Sequence, residues 1–292
     1  MRIRFRKESV QGSGFRGWAR WHIALVGVLL VCGMASASDG IRAISMAPHL
    51  TELAYAAGVG DRLVGVVDWS DYPPEASELP SIGDAFRFDL ERILALEPDI
   101  ALAWRGGTPA RAAESLAALD IEIVWVETQS LAEIGSALEV IGAELGQPAS
   151  GLAAARAFRS ALAEITPPAA QPAPVFYQVS ARPLFTLGKR HVINEVFALC
   201  GLENIFADLE TEASVVDFEA VLAAEPKHII AGHDGTGPDP LSAWRDVRWF
   251  GAETPRLHTV DPSLLVRPTP RILEGIERVC KLASDRASPE IR

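Results

Sequence analysis

Cysteine is scarce, with three in 292 residues, and basic residues are outnumbered, 27 Lys and Arg against 38 Asp and Glu. So few cysteines allow one intramolecular bridge at most. The acidic balance, net −11, makes nucleic acid a poor partner and a basic protein surface a good one. Beyond the N-terminus there is no second apolar run long enough to span a membrane. The fingerprints of common enzymes are missing too: no G-x-S-x-G elbow, no G-x-G-x-x-G and no P-loop. Gly235-Thr236-Gly237 lacks the third glycine and the strand-to-helix setting, so it reads as a turn. Histidines 49, 191, 228, 233 and 258 are scattered, without the one-face helical spacing of a zinc site. They read as independent surface or core residues, and no metal ligand set can be named. A metal held across a cleft stays open as an alternative. No base and nucleophile can be paired, so the expectation is a protein that is not an enzyme and holds no cofactor; a two-lobed α/β metalloenzyme is the reading from another class.

What is present begins with an export signal over residues 1–37. Arg2, Arg4, Arg6, Lys7, Arg16 and Arg20 precede an apolar stretch, 23–31, too short to span comfortably. Ala35-Ser36-Ala37 gives the small-x-small cleavage pattern, so the mature, exported chain is expected to begin at Ser38. A lipid anchor on Cys32 is the alternative, but Val31 stands where a small residue is wanted. The six basic residues and Glu8 carry a net +5, and without them the charge falls from −11 to −16. Cys200 and Cys280 then remain. In an exported chain two cysteines most simply form one disulfide, and two buried thiols are the alternative. The bridge would close a loop of about eighty residues, worth up to ~4 kcal/mol in the chain-entropy picture.

One stretch is said twice. Residues 89–98 (Asp-Leu-Glu-Arg-Ile-Leu-Ala-Leu-Glu-Pro) and 217–226 (Asp-Phe-Glu-Ala-Val-Leu-Ala-Ala-Glu-Pro) each read as an Asp cap, a glutamate in the first turn, an apolar stripe and a proline stop. A short apolar run follows each, 99–104 and 228–232. Capped helix, stop and buried strand, repeated, argue for two similar lobes.

Strands are expected at 41–45, 63–67, 99–104 and 121–126, with helices at 48–57, 109–119 and 131–145 between and after them. Such alternation means α/β with a mainly parallel sheet. Residues 149–165 read as a connecting helix with Leu152, Phe158, Leu162 and Ile165 on one face, followed by a proline-rich coil. The second lobe repeats the pattern, with strands at 175–179 and 257–260 and helices at 192–199, 240–245 and 270–282. The expected fold is therefore two Rossmann-like lobes with mainly parallel sheets joined by a single long helix. The N-terminal lobe covers 38–148, the linker 149–173 and the C-terminal lobe 174–292.

Trp69, Tyr72, Trp104 and Phe185 are expected just beyond strands, where α/β sheets bind ligands. Asp261 ends the last strand and Arg267 lies in the loop after it. Two such lobes would face each other across an aromatic-walled cleft suited to a large flat ligand; lobe core is the plainer reading of those rings. Glu91 and Glu219 likewise carry two readings: helix starts placed well against the dipole, or one acidic knob per lobe aimed at a symmetric basic partner.

Residues 47–58 (Ala-Pro-His-Leu-Thr-Glu-Leu-Ala-Tyr-Ala-Ala-Gly), Ser70-Asp71-Tyr72-Pro73-Pro74, Asp89-Leu90-Glu91-Arg92-Ile93, Ala103-Trp104-Arg105-Gly106-Gly107, Cys200-Gly201-Leu202-Glu203-Asn204-Ile205-Phe206 and Pro270-Arg271-Ile272-Leu273 strongly resemble the periplasmic cobalamin (vitamin B12)-binding proteins of ABC importers, a helical-backbone substrate-binding family. The likeness covers nearly the whole mature chain. The opening helix and Asn-Ile-Phe are shared with ferric-siderophore and haem binders, which are the alternative. The Asp-Tyr-Pro-Pro and Trp-Arg-Gly-Gly pair points to corrinoids. The resemblance implies a monomer with the corrinoid between the lobes, as cargo rather than cofactor. Contacts fall at Tyr72, Phe86, Trp104, Arg105, Gly106, Phe185, Asp261 and Arg267. It puts a disulfide at Cys200 and Cys280, and sets Glu91 and Glu219 against arginines of a dimeric permease with its ATPase subunits. The sequence departs at two tryptophans, one replaced at Ala85 and Phe86, the other at Ala213.

Overall fold

Apolar runs buried on both faces set the two sheets. A computed structural model describes residues 40–84, 86–247, 249 and 253–284. The expected signal over 1–37 and its cleavage after Ala37 lie outside them, as does Ala85. The described residues from Ile41 onward form one unit. Its first sheet takes β1 (Ala43–Ser45), β2 (Leu63–Val66), β3 (Ile100–Trp104) and β4 (Glu122–Val126) in the order β2-β1-β3-β4, all parallel. The second takes β5 (Ala173–Gln178), β8 (Leu202–Asn204), β10 (His228–Gly232) and β11 (Arg256–Val260) in the order β8-β5-β10-β11, again parallel. The two orders match strand for strand. In β3 and β10 all residues but the last are buried, which is why both read as continuous apolar runs.

Helices cover both faces. In the N-terminal lobe these are α1 (Pro48–Ala56), α2 (Leu90–Ala95), α3 (Ala110–Ala117) and α4 (Leu131–Glu144). The linker helix is α5 (Pro148–Ala163), and α6 (Ile193–Leu199), α7 (Phe218–Ala223), α8 (Ser242–Arg245) and α9 (Ile272–Ser284) belong to the C-terminal lobe. The repeated units are α2 with β3 and α7 with β10. Both helices end the same way: Glu97 (φ 45) and Glu225 (φ 46) turn left-handed immediately before Pro98 and Pro226. The proline disfavours a right-handed helical residue before it, so the stop is a left-handed glutamate rather than the proline itself. The caps differ. Asp89 accepts the Arg92 N–H at 3.0 Å, whereas the Asp217 side chain makes no capping bond.

The linker helix packs on α4 at a close crossing. A Cβ on Gly142 would come within 2.6 Å of the Gly151 Cα, so backbone meets backbone there. The expected apolar face holds at Phe158, which is buried, and at Leu162 and Ile165, which pack against the same core, and is corrected at Leu152, which is exposed while Gly151 and Ala155 are buried. Small residues take the crossing because no larger side chain fits. A second correction lies beyond β5. Short strands β6 (Ser180–Ala181), β7 (Leu184–Leu187) and β9 (Ala213–Val215) form an antiparallel sheet of order β6-β7-β9, and no strand was expected there. Strands of two to four residues are too short to show a period.

Cys200, which caps α6, and Cys280, inside α9, form the disulfide. It ties the first helix of the C-terminal lobe to its last. The largest cluster of buried apolar residues draws on both lobes and the linker helix, through Leu50, Leu138, Phe158, Val175, Phe197 and Val279.

Candidate functional site

Two loops that leave strand ends meet between the lobes. One follows β2 and carries Trp69 to Tyr72. Trp69 is left-handed (φ 67) and 79% exposed. The other follows β11: Asp261 accepts the Ser263 N–H at 2.9 Å and its hydroxyl at 2.7 Å, starting a 3-10 turn over Pro262–Leu264. That turn leads on to Arg267, Thr269 and Arg271. Trp69, Tyr72, Asp261, Arg267 and Arg271 line a cavity of about 470 Å³.

Arg267 anchors its floor. Its guanidinium donates to Glu52 Oε1 at 2.9 Å, to Asp71 Oδ1, and to the Trp69 carbonyl at 3.1 Å. The left-handed turn at Trp69 brings that carbonyl into reach. Glu52, on α1, has a side chain only 2% exposed. Its other oxygen accepts from the Thr269 hydroxyl at 3.1 Å and lies 3.5 Å from Arg271 Nη1. A buried carboxylate needs such partners. Arg271 also lies over the Tyr72 ring, Cζ 3.9 Å from its centroid, a cation–π contact. Sequence reasoning missed Glu52, Thr269 and Arg271 as site residues. The signal was there: Glu52 is the sole charged residue in a stretch, His49 to Ala54, buried throughout, and such an acid has to find a partner.

Trp104 ends β3 rather than lying past it. The Arg105-Gly106-Gly107 turn wraps its indole: a Cβ on Gly106 or Gly107 would come within 2.7 or 2.2 Å of the ring. Only glycine fits there, which explains the motif. The buried His49 ring stands edge-on to Trp104, centroids 5.0 Å apart. Burial, and the nearby Arg267 charge, push the His49 pKa down to about 3, so the imidazole is neutral. His49 Nε2 and Trp104 Nε1 are buried without partners among the described residues.

The remaining expected residues stand apart from that cavity. Arg105 pairs with Glu127 at 3.2 Å and lies over Trp125, Cζ 5.1 Å from the ring centroid. Phe86 is 80% exposed on a turn whose N–H groups, from Phe86 and Arg87, donate to Asp84 Oδ1 at 2.7 Å each. Phe185 is corrected: it lies within β7, opposite Val215, not in a loop beyond a strand. Ala213 lies in β9 of the same small sheet. Glu91 and Glu219 are exposed in the first turns of α2 and α7. Among the described residues no three His, Cys, Asp or Glu side chains gather as a metal site would need.

Two α/β lobes, one linker helix and a polar, aromatic cavity between strand-end loops define a substrate-binding protein with a helical backbone. Residues 44–242 match the family described as periplasmic binding protein, and the chain belongs to it. It is 38% identical over 242 residues to the vitamin B12-binding protein of Vibrio cholerae serotype O1, covering 82% of this chain and 87% of that one. The crystal structure of the periplasmic vitamin B12 binding protein BtuF of Vibrio cholerae superposes with a TM-score of 0.72 at 36% identity, covering 85% of this chain and 99% of that one. A periplasmic heme binding protein from Pseudomonas aeruginosa shares the fold at 22% identity and TM-score 0.72, covering 85% and 94%.

Proposed function

We propose that this chain is an exported, monomeric, non-enzymatic carrier that captures cobalamin or a related corrinoid between its lobes and delivers it to a dimeric ABC permease with its ATPase subunits. On this reading the signal is cut after Ala37, the lobes cover 38–148 and 174–292, and 149–173 join them. The observation that carries the reading is the meeting of Tyr72, Asp261 and Arg267 at one cavity between strand-end loops, in a chain 38% identical to a vitamin B12-binding protein. An aromatic face beside an arginine and an acid suits a flat macrocycle fringed with amides. Phe86, Trp104, Arg105, Gly106 and Phe185 lie outside the lining of that cavity; on this reading they meet the parts of the corrinoid that extend beyond it. Glu91 and Glu219, one per lobe and both exposed, are the acids offered to basic residues of the permease.

The test is co-elution. Signal-free protein is mixed in turn with cyanocobalamin, dicyanocobinamide and haemin, and passed over a desalting column. The red of a corrinoid should travel with the protein and haemin should not. Haemin retained with both corrinoids lost would move the chain to the haem-binding alternative.

A further inference from the structure

A second cavity adjoins the first. It lies beside β11, the edge strand of its sheet, and is walled by the loop after β10 and by α9. The His233 N–H donates to the Val260 carbonyl at 2.9 Å, which holds that loop against the end of β11. Arg278 and Lys281, three residues apart on α9, project from one face. His233, Asp234, Thr259, Asp261, Arg278 and Lys281 line about 470 Å³, as much again as the first cavity. Asp234 and Asp261 line both, so the two spaces meet along that pair of carboxylates. Each carboxylate already has partners. Asp234 Oδ1 accepts the Thr236 N–H at 2.8 Å and its hydroxyl at 2.7 Å, and Asp261 Oδ1 accepts likewise from Ser263. Arg278 is paired with Glu274, one turn back on the same helix. Lys281 is exposed and has no ion pair among the described residues.

We infer that this second cavity takes the nucleotide loop of a complete corrinoid, with Lys281 facing its phosphodiester; this rests on the proposed corrinoid reading. Size requires a neighbouring space. Cavities of ~300–1,000 Å³ hold drug-sized ligands, and a corrin ring with its nucleotide loop is larger than those. The first cavity, about 470 Å³, cannot enclose it all. Charge decides which neighbour takes the loop. The phosphodiester is the ligand's one peripheral anion, and in the first cavity both arginines are committed: Arg267 to Glu52 and Asp71, Arg271 to Glu52 and the Tyr72 ring. A third cavity of about 340 Å³, reached past Tyr72 and Arg271, adds only the Glu52 carboxylate as a charge. The second offers the Lys281 ammonium. Asp234 and Asp261 repel an anion at the seam but can accept from the amide arms of the ring, so the phosphate belongs on the α9 side of them. The consequence is selectivity: complete corrinoids gain a contact that cobinamides, which end before the nucleotide, cannot make.

The experiment compares two ligands. Affinities of the signal-free protein for cyanocobalamin and for dicyanocobinamide are measured by calorimetry in the parent, in Lys281→Ala and in Lys281→Arg. The parent should prefer cyanocobalamin. Lys281→Ala should weaken cyanocobalamin binding about fivefold, the upper end for an exposed ion pair, and leave dicyanocobinamide binding as it was. Lys281→Arg, which keeps the charge, should hold the parent's preference. Added salt should lower cyanocobalamin affinity in the parent and not in Lys281→Ala. An unchanged ratio of the two affinities in Lys281→Ala, whether from no loss or from equal losses, would overturn the inference and leave the corrinoid reading in place. A parent that binds neither corrinoid would overturn that reading, and the subsite with it.

Discussion

Gly106 sits 2.7 Å, at an added Cβ, from the indole of Trp104, so a methyl group there has to displace the ring. Gly106→Ala should therefore weaken ligand binding by displacing Trp104. Trp104→Ala should cost ~1–3 kcal/mol of cobalamin affinity, as loss of a large aromatic contact does; titration of the folded variants checks both, and full affinity in each would return Trp104 to the core. The Trp-Arg-Gly-Gly motif was legible in sequence as a strand exit, but not the reason for its glycines, which is a contact within the turn. Glu52 shows the opposite gap. Its burial inside an apolar helix was visible, yet its partners lie 215 and 217 residues away, beyond what local pattern can pair. Phe185 was misplaced because a strand of four residues, Leu184–Leu187, carries too little periodicity to separate it from a loop.

At the scale of elements, the repeated helix-stop-strand unit was the most legible feature, since its signals are all local, although the second Asp makes no capping bond and the stop is a left-handed glutamate ahead of the proline. Its two glutamates make a matched pair. Glu91→Ala with Glu219→Ala should leave cobalamin affinity unchanged and cost stability only a few tenths to ~1 kcal/mol per helix start. Uptake in cells and binding to the permease should fall, more at low salt than at high, because exposed charges steer docking and are screened. Reversing both to arginine should be worse. Normal transport by the double alanine variant would reduce these residues to well-placed helix starts. The linker helix was legible in length and in most of its face, Phe158, Leu162 and Ile165, but not in its closest approach: Gly142 against Gly151 is set by a helix crossing, and a crossing is written in two distant sequences at once.

At the scale of the whole molecule, stability depends on the Cys200–Cys280 disulfide and, through pH, on His49 and His191. Cys200→Ser with Cys280→Ser opens a loop of 80 residues and should lower stability by up to ~4 kcal/mol, read as a lower urea midpoint; denatured, unreduced protein should show no free thiol from this pair. Burial pushes His49 down to about 3 and His191 to about 4. Unfolded imidazoles gain protons as pH falls through about 6.5, while the folded ones stay neutral. The unfolded state binds more protons across that window, so stability is full above it and is lost as pH falls from about 6.5 toward 4. The urea midpoint should drop between pH 7.5 and 5, and drop less in His49→Gln; equal slopes would deny His49 that part. On the proposed reading one corrinoid occupies the space between the lobes. The most direct test is calorimetric titration of cyanocobalamin into the mature protein and into Tyr72→Ala. Saturation at one ligand per chain, weakened in the variant, is expected; no saturable binding, or binding indifferent to Tyr72, would contradict a corrinoid held there.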